Sequence, residues 1–275
     1  MIDKRSFLMQ YYYQHPQPLD RLLFYAVLAV GCQFLPKVEL SAETTMERKI
    51  GRHLREKAMD VMQIAYKQSK ITTLQTLLMM AMLVPNSAND EGSSTNWQSQ
   101  DLEIFREDQY QHLSRCEVEL RRRLAYSIYM WDKYASAATG KPFTVRDEDF
   151  YVQIPSTYEQ EPDDGISLYV LANRDNDGDN YNIPKLLQQT EKDIRTKRSV
   201  YELHVRSIPL SQMISQILVS LYLPKLAIYG DNNNSNHVGM DIIMKLNSEL
   251  DAWRKAGLEQ ATTSPSLYRP GIVLY

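Results

Sequence analysis

Apolar residues recur along most of the chain at the three- and four-residue spacing of amphipathic helices. The clearest run extends from Glu117 to Thr139, where apolar side chains follow one face: Leu120, Leu124, Ile128, Trp131, Ala135 and Ala138. Leu22 to Leu35 is apolar on nearly every side, which predicts a buried helix. No segment shows convincing strand alternation between hairpin turns. The pattern predicts an all-α fold, an irregular multi-helix domain with long acidic and polar surface loops.

The same spacing predicts six further helical segments. They are Ser41 to Lys67, Thr72 to Pro85, Gln98 to Leu113, a helix from Pro184 onward, Leu210 to Leu221, and Val238 to Trp253. The first of these carries an apolar stripe that includes Ile50 and Ala58. Thr72 and Gln75 predict a capping box at the start of the second. Gly257 predicts a C-cap after the last.

Three polar stretches interrupt the helices and predict surface loops, at 86–97, 156–182 and 230–237. The second is acidic and rich in turn residues. The length allows either one large domain or two intimate domains, and we place the domain at residues 20–275, after an N-terminal segment at 1–19.

Charge and cysteine content exclude several classes of protein. The net charge is −3, so no global positive field would draw the chain onto nucleic acid. Cys32 and Cys116 lie far apart, which argues against a disulfide framework or a zinc cluster and fits a reducing compartment. The N-terminus has no secretory signal. The 14-residue run from Leu22 to Leu35 is short for a membrane span, so no membrane association is expected.

Motifs for catalysis or metal binding are absent from the sequence. Gly140 and Lys141 lack the upstream glycine of a phosphate-binding loop, and Pro142 stands where that loop needs Ser or Thr. His53 and Glu56 lack the second histidine of a zinc protease. No nucleophile elbow or dinucleotide-binding glycine motif occurs. We therefore expect no enzyme activity, no catalytic residue and no metal site in this chain.

Two charged clusters have both a functional and a structural interpretation. Arg121–Arg123 could contact DNA, but three successive residues spread around a helix rather than forming one stripe. Nearby acids such as Glu117 and Glu119 favour internal ion pairing or a solvated face. Asp147–Asp149 could do acid–base work, yet their place after a helix end favours turn formation.

The segment from Glu119 to Pro155, ELRRRLAYSIYMWDKYASAATGKPFTVRDEDFYVQIP, resembles the signature of the fungal-specific transcription factor domain. This domain is the middle homology region of fungal activators that carry a zinc binuclear cluster. The signature combines arginines, an apolar-aromatic helix, an acid–base pair, a Gly-basic-Pro step, an acidic turn and a closing proline. The matching residues are Arg121, Arg122, Arg123, Trp131, Asp132, Lys133, Gly140, Lys141, Pro142, Asp147, Asp149 and Pro155.

The resemblance extends in weaker form over most of residues 20–275, through TTLQTLLMMAM and LNSELDAWRKAG. Three departures stand out. LEIFREDQYQHLSR lacks the usual glycine-led helix, Ala125-Tyr126 replace an aromatic pair, and the chain ends at LYRPGIVLY, where the family normally continues. We therefore expect a C-terminally truncated fragment or a diverged copy. The segment around DKYASAATGKPF resembles the subgroup tied to nitrogen metabolism.

The resemblance implies a regulatory domain of a nuclear transcription factor, which acts through a small-molecule metabolite or a co-regulator protein and could form a homodimer. DNA would be contacted only by the full-length protein. Zinc would be held only in a separate DNA-binding domain, because two cysteines cannot supply six ligands. The alternative is an all-α scaffold or dimerisation domain without a ligand or a DNA-binding role.

Physical chemistry assigns the motif a structural role. Gly140 can end the long helix in the left-handed conformation, and Pro142 prevents the helix from continuing. An unpaired charge at Asp132 would be costly. We expect Asp132 either to pair with an arginine near Arg121–Arg123 or to accept backbone hydrogen bonds from another element. The motif is then predicted to be a corner of the fold and not a reaction centre.

Overall fold

The computed structural model confirms the all-α prediction. The structure describes residues 2–14, 16–32, 42–65, 69–83, 99, 102–160, 184–221 and 235–263. These residues form eight α-helices and no strand. The helices are α1 (Lys4–Tyr13), α2 (Arg21–Gly31), α3 (Ala42–Ala65), α4 (Ile71–Leu83), α5 (Arg115–Thr139), α6 (Lys185–Arg195), α7 (Glu202–Leu221) and α8 (Ser235–Thr263).

The chain divides into two compact units, Met1–Ile208 and Pro209–Tyr275. The boundary falls inside α7 at Pro209, a residue that lacks the N–H of a helical hydrogen bond. No helix among the described residues is both long enough and apolar enough to cross a membrane.

In the first unit, α5 is the central element. It is buried on every side from Arg123 to Met130, and α4 packs against it. The main hydrophobic cluster joins α4 and α5 to residues of the neighbouring turns and to Ile208 of α7: Leu74, Leu78, Ile104, Phe105, Leu124, Ala125, Tyr126, Ile128, Tyr129, Met130, Val145 and Ile208. Because α5 is surrounded in this way, its buried polar side chains must find their partners inside the protein.

The α2 helix packs against both α3 and α4. Its N-cap is Asp20, whose side chain accepts hydrogen bonds from the Leu22 N–H (2.9 Å) and from the Thr72 hydroxyl (2.9 Å). Thr72 lies inside α4, so the capping box predicted for it is wrong: its hydroxyl is committed to Asp20. At the other end, a Cβ on Gly51 would lie 3.1 Å from Cys32 Cβ, so α3 approaches α2 closely there.

The helix predicted at Gln98–Leu113 is wrong over residues 102–113. Residues 102–110 form turns and a short 3-10 helix at Glu107–Tyr110, and Glu103 adopts a left-handed φ of 51°. The Tyr151 N–H donates to the Phe105 carbonyl (2.9 Å), and the Glu107 N–H donates to the Tyr151 carbonyl (3.1 Å). These contacts with a distant segment stabilise an irregular backbone that still buries Phe105.

Other helix details also differ from the predictions. Ile50 of the α3 stripe is 47% exposed, whereas Ala58 is buried. The predicted loops at 86–97 and 161–182 lie outside the described residues, while 156–160 is non-helical. The loop predicted at 230–237 ends earlier, because α8 begins at Ser235.

The second unit contains the end of α7 and the long helix α8. Gly257 lies within α8 and not after it, so the predicted C-cap there is wrong. Leu246 is buried, whereas Met240, Ile243 and Met244 are exposed on the same helix.

Candidate functional site

The family-like motif occupies α5 and the corner that follows it. The Ser114 Oγ caps α5 by accepting the Glu117 N–H (3.2 Å). At the other end Gly140 takes a left-handed φ of 68° and donates its N–H to the Ser136 carbonyl (2.9 Å). The predicted glycine cap is confirmed, and it turns the chain back along the helix.

Asp132 is the acceptor that closes this corner. Its carboxylate accepts hydrogen bonds from the Thr144 N–H (3.0 Å), the Thr144 hydroxyl (2.8 Å) and the Val145 N–H (2.9 Å). The side chain is only 7% exposed. Of the two predicted partners for Asp132, the backbone of another element is the correct one. The carboxylate thereby holds the returning segment against α5.

Lys133, the next residue, is fully buried. Its ammonium donates to the Val145 carbonyl and lies 3.9 Å from Asp132 Oδ2 and 3.8 Å from Asp147 Oδ1. The Phe143 ring centre is 3.6 Å from Nζ, within cation–π range. Burial lowers the pKa of Lys133, and the two carboxylates oppose that shift. Asp132 and Lys133 thus form one buried unit with the corner.

The acidic turn is tied to the same helix face by an aromatic cluster. Asp147–Asp149 form a 3-10 turn, as the turn prediction requires, and Asp147 accepts a hydrogen bond from the Tyr129 hydroxyl (2.8 Å). Phe150 then packs against the rings of Tyr129, Tyr126 and Phe105, with centroid distances of 5.1, 4.9 and 5.6 Å. The turn therefore has a packing role.

Arg121 and Arg122 form internal ion pairs. Arg121 lies 3.3 Å from Glu117, one helical turn away. Arg122 joins two acids, since it pairs with Glu107 and lies 2.7 Å from Glu119. Both guanidinium side chains are mostly buried, at 16% and 17% exposure. The ion-pairing interpretation of these two residues is confirmed.

The two acids beside Arg122 also hold the extended segment that closes the motif. Glu107 Oε2 accepts the Gln153 N–H (2.7 Å), and Glu119 Oε2 accepts the Ser156 N–H (2.7 Å). Pro155, which lies between Gln153 and Ser156 in the sequence, is buried. Each acid thus bridges a cation and a backbone donor, which fixes this segment to α5.

Arg123 has different surroundings from its two neighbours. It is 1% exposed, its guanidinium carbon lies 4.2 Å from the Tyr201 ring centre, and Nη2 lies 4.0 Å from Asp3 Oδ2. Among the described residues, its Nε and Nη1 have no hydrogen-bond partner. Burial lowers the pKa of nearby His204 to about 3, and the Arg123 charge adds to that shift.

The start of α1 completes this buried charged cluster. The Tyr201 hydroxyl lies 3.1 Å from Glu159 Oε1 and donates to the Ile2 carbonyl (3.3 Å). Glu159 also accepts the Lys4 N–H (2.9 Å). Burial, and then the nearby Asp3 carboxylate, raise the pKa of Glu159. Among the described residues, the Arg123 guanidinium offsets the charge of these two acids.

The remaining motif residues do not join either cluster. Trp131 is partly buried against the hydrophobic core, and its Nε1 has no partner within the described part of the chain. Lys141 and Pro142 are exposed beyond the Gly140 cap. Asp149 lies at a cavity that is described next. The motif therefore consists of two buried polar clusters on α5 and an exposed segment at Lys141 and Pro142.

A half-open cavity of ≈ 270 Å³ lies beside the corner. It is lined by Ser99, Glu103, Phe105, Arg106, Thr144, Val145, Arg146 and Asp149. Phe105 and Val145 are buried and apolar, whereas Glu103, Arg146 and Asp149 are exposed. Charged groups of both signs therefore surround an apolar floor.

Several residues of these clusters had no signal in the sequence. Glu107 and Glu119 resembled ordinary helix-surface acids. Thr144 lies in the signature segment but is not one of its matching residues, and Glu159 and Tyr201 lie outside that segment. The sequence signal for ion pairing was the presence of several acidic residues near Arg121–Arg123. The described residues contain no group of three or more His, Cys, Asp or Glu side chains that could hold a metal ion.

Replacing Gly140 by alanine is expected to destabilise the first unit by about 1 kcal/mol, because an L-residue in the left-handed region pays a steric cost. A Cβ there would meet nothing within 4 Å, so the cost is conformational only. Urea denaturation measures it. Gly31→Ala is the matched control, since its Cβ also meets nothing and its backbone is helical. Equal effects at both positions would contradict this account.

The comparison with protein families agrees with the motif. The family model described as fungal specific transcription factor domain matches residues 1–255. The chain belongs to this family, and it is a fungal transcription-factor regulatory region. No curated protein and no solved structure matches the chain.

Proposed function

We propose that this chain is the regulatory domain of a nuclear fungal transcription factor and that it modulates transcription by binding a small molecule or a partner protein. DNA contact belongs to a zinc cluster outside this chain, and the chain itself is not an enzyme. The observation that carries the proposal is that charged side chains of the motif interact with other groups of the same domain. Internal groups contact the side chains of Arg122, Arg123 and Lys133. These side chains therefore stabilise the domain and are not presented to DNA.

A tethered reporter assay tests this proposal. The chain is fused to an unrelated DNA-binding domain in a fungal strain that carries the matching reporter gene. We expect reporter output to differ from that of the DNA-binding domain alone and to change with the nutrient supplied. Asp60→Asn, a change at an exposed carboxylate of α3, serves as the control that retains the response. Output equal to that of the DNA-binding domain alone in every medium would refute the regulatory role.

A scaffold role is the second candidate, and one observation favours it. Met240, Ile243 and Met244 are exposed at helical spacing on α8 of the second unit. Such a face is typical of a surface that pairs with another helix. In the tethered assay, a scaffold without a ligand would give an output that is constant across nutrients, which separates the two candidates.

A further inference from the structure

The cavity beside the Asp132 corner has an uncommon combination of groups. Its floor is apolar, formed by Phe105 and Val145, which are 8% and 5% exposed. Its rim carries Glu103, Arg146 and Asp149. Within the described part of the chain, these three charged side chains form no hydrogen bond or salt bridge. They are therefore available to a ligand, in contrast to the motif charges on α5.

The fourth charged residue of the rim is already committed. The guanidinium of Arg106 lies 2.8 Å from the Asp108 carboxylate, and that bond raises the pKa of Arg106. The available rim charges are then one cation and two anions. A simple anion would meet Arg146 but be repelled by both carboxylates. A ligand with one negative and one positive charge can pair with Arg146 through the first and with the two carboxylates through the second.

Size limits the ligand further. Typical pockets for drug-sized ligands span roughly 300–1,000 Å³, and this cavity of ≈ 270 Å³ is smaller. A free α-amino acid fits these limits, because its carboxylate can pair with Arg146, its ammonium with Glu103 and Asp149, and its side chain can cover the apolar floor. Charge-assisted hydrogen bonds of this kind are stronger than neutral ones.

The backbone around the cavity supports a binding role. Glu103 is held at a φ of 51°, a conformation that non-glycine residues adopt at a cost and that recurs at ligand clamps. Thr144, another lining residue, donates to Asp132 at the corner. A ligand in the cavity would thus contact the segment whose position the buried Asp132 determines.

We propose that this cavity binds a free zwitterionic α-amino acid, with Arg146 for the carboxylate, Glu103 and Asp149 for the ammonium, and Phe105 and Val145 for the side chain. The inference rests on the proposed regulatory function and names the ligand class for it. An amino acid here would stabilise the corner and so change the equilibrium between forms of the domain.

Thermal denaturation of the purified chain with each of the twenty free L-amino acids, at millimolar concentration, tests the proposal. At least one is expected to raise Tm, and calorimetry then gives its affinity. Arg146→Ala is expected to weaken that amino acid at least about tenfold, because a charge-assisted bond is lost. Glu103→Gln combined with Asp149→Asn is expected to have a similar effect. Arg52→Ala, an exposed arginine on α3, is the matched control and should bind as the unchanged chain does.

Each possible result decides between specific alternatives. If none of the twenty amino acids raises Tm, the proposal is overturned. It is also overturned if the analogue of the bound amino acid that lacks the ammonium binds equally well, because the site then takes simple anions. Stabilisation that persists in both rim variants would place the ligand elsewhere. The tethered reporter assay stays informative in all of these cases, since nutrient-dependent output without amino-acid binding would retain the regulatory role and remove only this ligand.

Discussion

Asp132→Asn is expected to unfold the first unit more readily than any change at the exposed carboxylates, with a loss of about 3 kcal/mol in the free energy of unfolding. The carboxylate accepts two backbone N–H groups and the Thr144 hydroxyl while 7% exposed. An amide of the same shape would replace one of the two acceptor oxygens by an NH2 donor, which would then face a donor instead of accepting from it. It would also remove a negative charge 3.9 Å from the buried Lys133 ammonium. Urea denaturation followed by circular dichroism measures the loss.

The control for Asp132→Asn is Asp149→Asn, which changes an exposed carboxylate nearby and should cost less than about 0.5 kcal/mol. A second variant separates the two causes of the loss. Lys133→Met in the Asp132→Asn background removes a buried cation that has lost one of its two neighbouring carboxylates, so it should recover part of the lost stability. An unchanged midpoint for Asp132→Asn would show that the corner does not depend on this carboxylate.

Most helices were predictable from the sequence because their signals are local, whereas α1 lies in a segment for which no helix was predicted. The stripe through Leu124 and Ile128 and the glycine at 140 are enough to place α5 and its end. At the end of the stripe, however, Ala138 is exposed, because only the middle of α5 is surrounded by other elements. Periodicity indicates a helix, whereas burial depends on what packs against it.

The Gln98–Leu113 segment shows where local signals fail. Leu102 and Phe105 have helical spacing, yet their burial is achieved by an irregular chain whose backbone bonds go to Tyr151. Helix propensity is a weak preference that tertiary contacts override. The two backbone bonds with Tyr151 and the aromatic packing of Phe105 on Phe150 are such contacts.

The candidate site was likewise predictable only in part. The role of Asp132 could be narrowed to two alternatives because an unpaired buried charge is costly. The partners of the arginines could not be named, since Glu107, Tyr201 and Asp3 reach α5 from separate parts of the chain. The cavity was also unpredictable, because its lining comes from three segments with no shared motif.

Arg123→Met is expected to loosen the attachment of α1 to the rest of the first unit. Methionine keeps much of the side-chain volume, so the main change is the loss of the cation over Tyr201 and beside Asp3. The repulsion between Asp3 and Glu159 would then lose the offset that Arg123 provides, and Glu159 is the acceptor of the Lys4 N–H. A loss of about 3 kcal/mol is expected, as for other buried charges left unpaired.

Hydrogen exchange distinguishes loosening of α1 from general destabilisation. In Arg123→Met, the amides of Lys4–Tyr13 should lose protection before those of α4 and α5, because the start of α1 is held by the polar contacts of residues 2–5. Adding Asp3→Asn removes one of the two uncompensated acids and keeps a residue that caps helices well, so it should restore part of the protection. Arg106→Met is the matched control, because that arginine is exposed and pairs only with the neighbouring Asp108 among the described residues. If α1 exchanged no faster than α4 in Arg123→Met, the buried arginine would be a packing residue and not the cation that attaches the N-terminal helix.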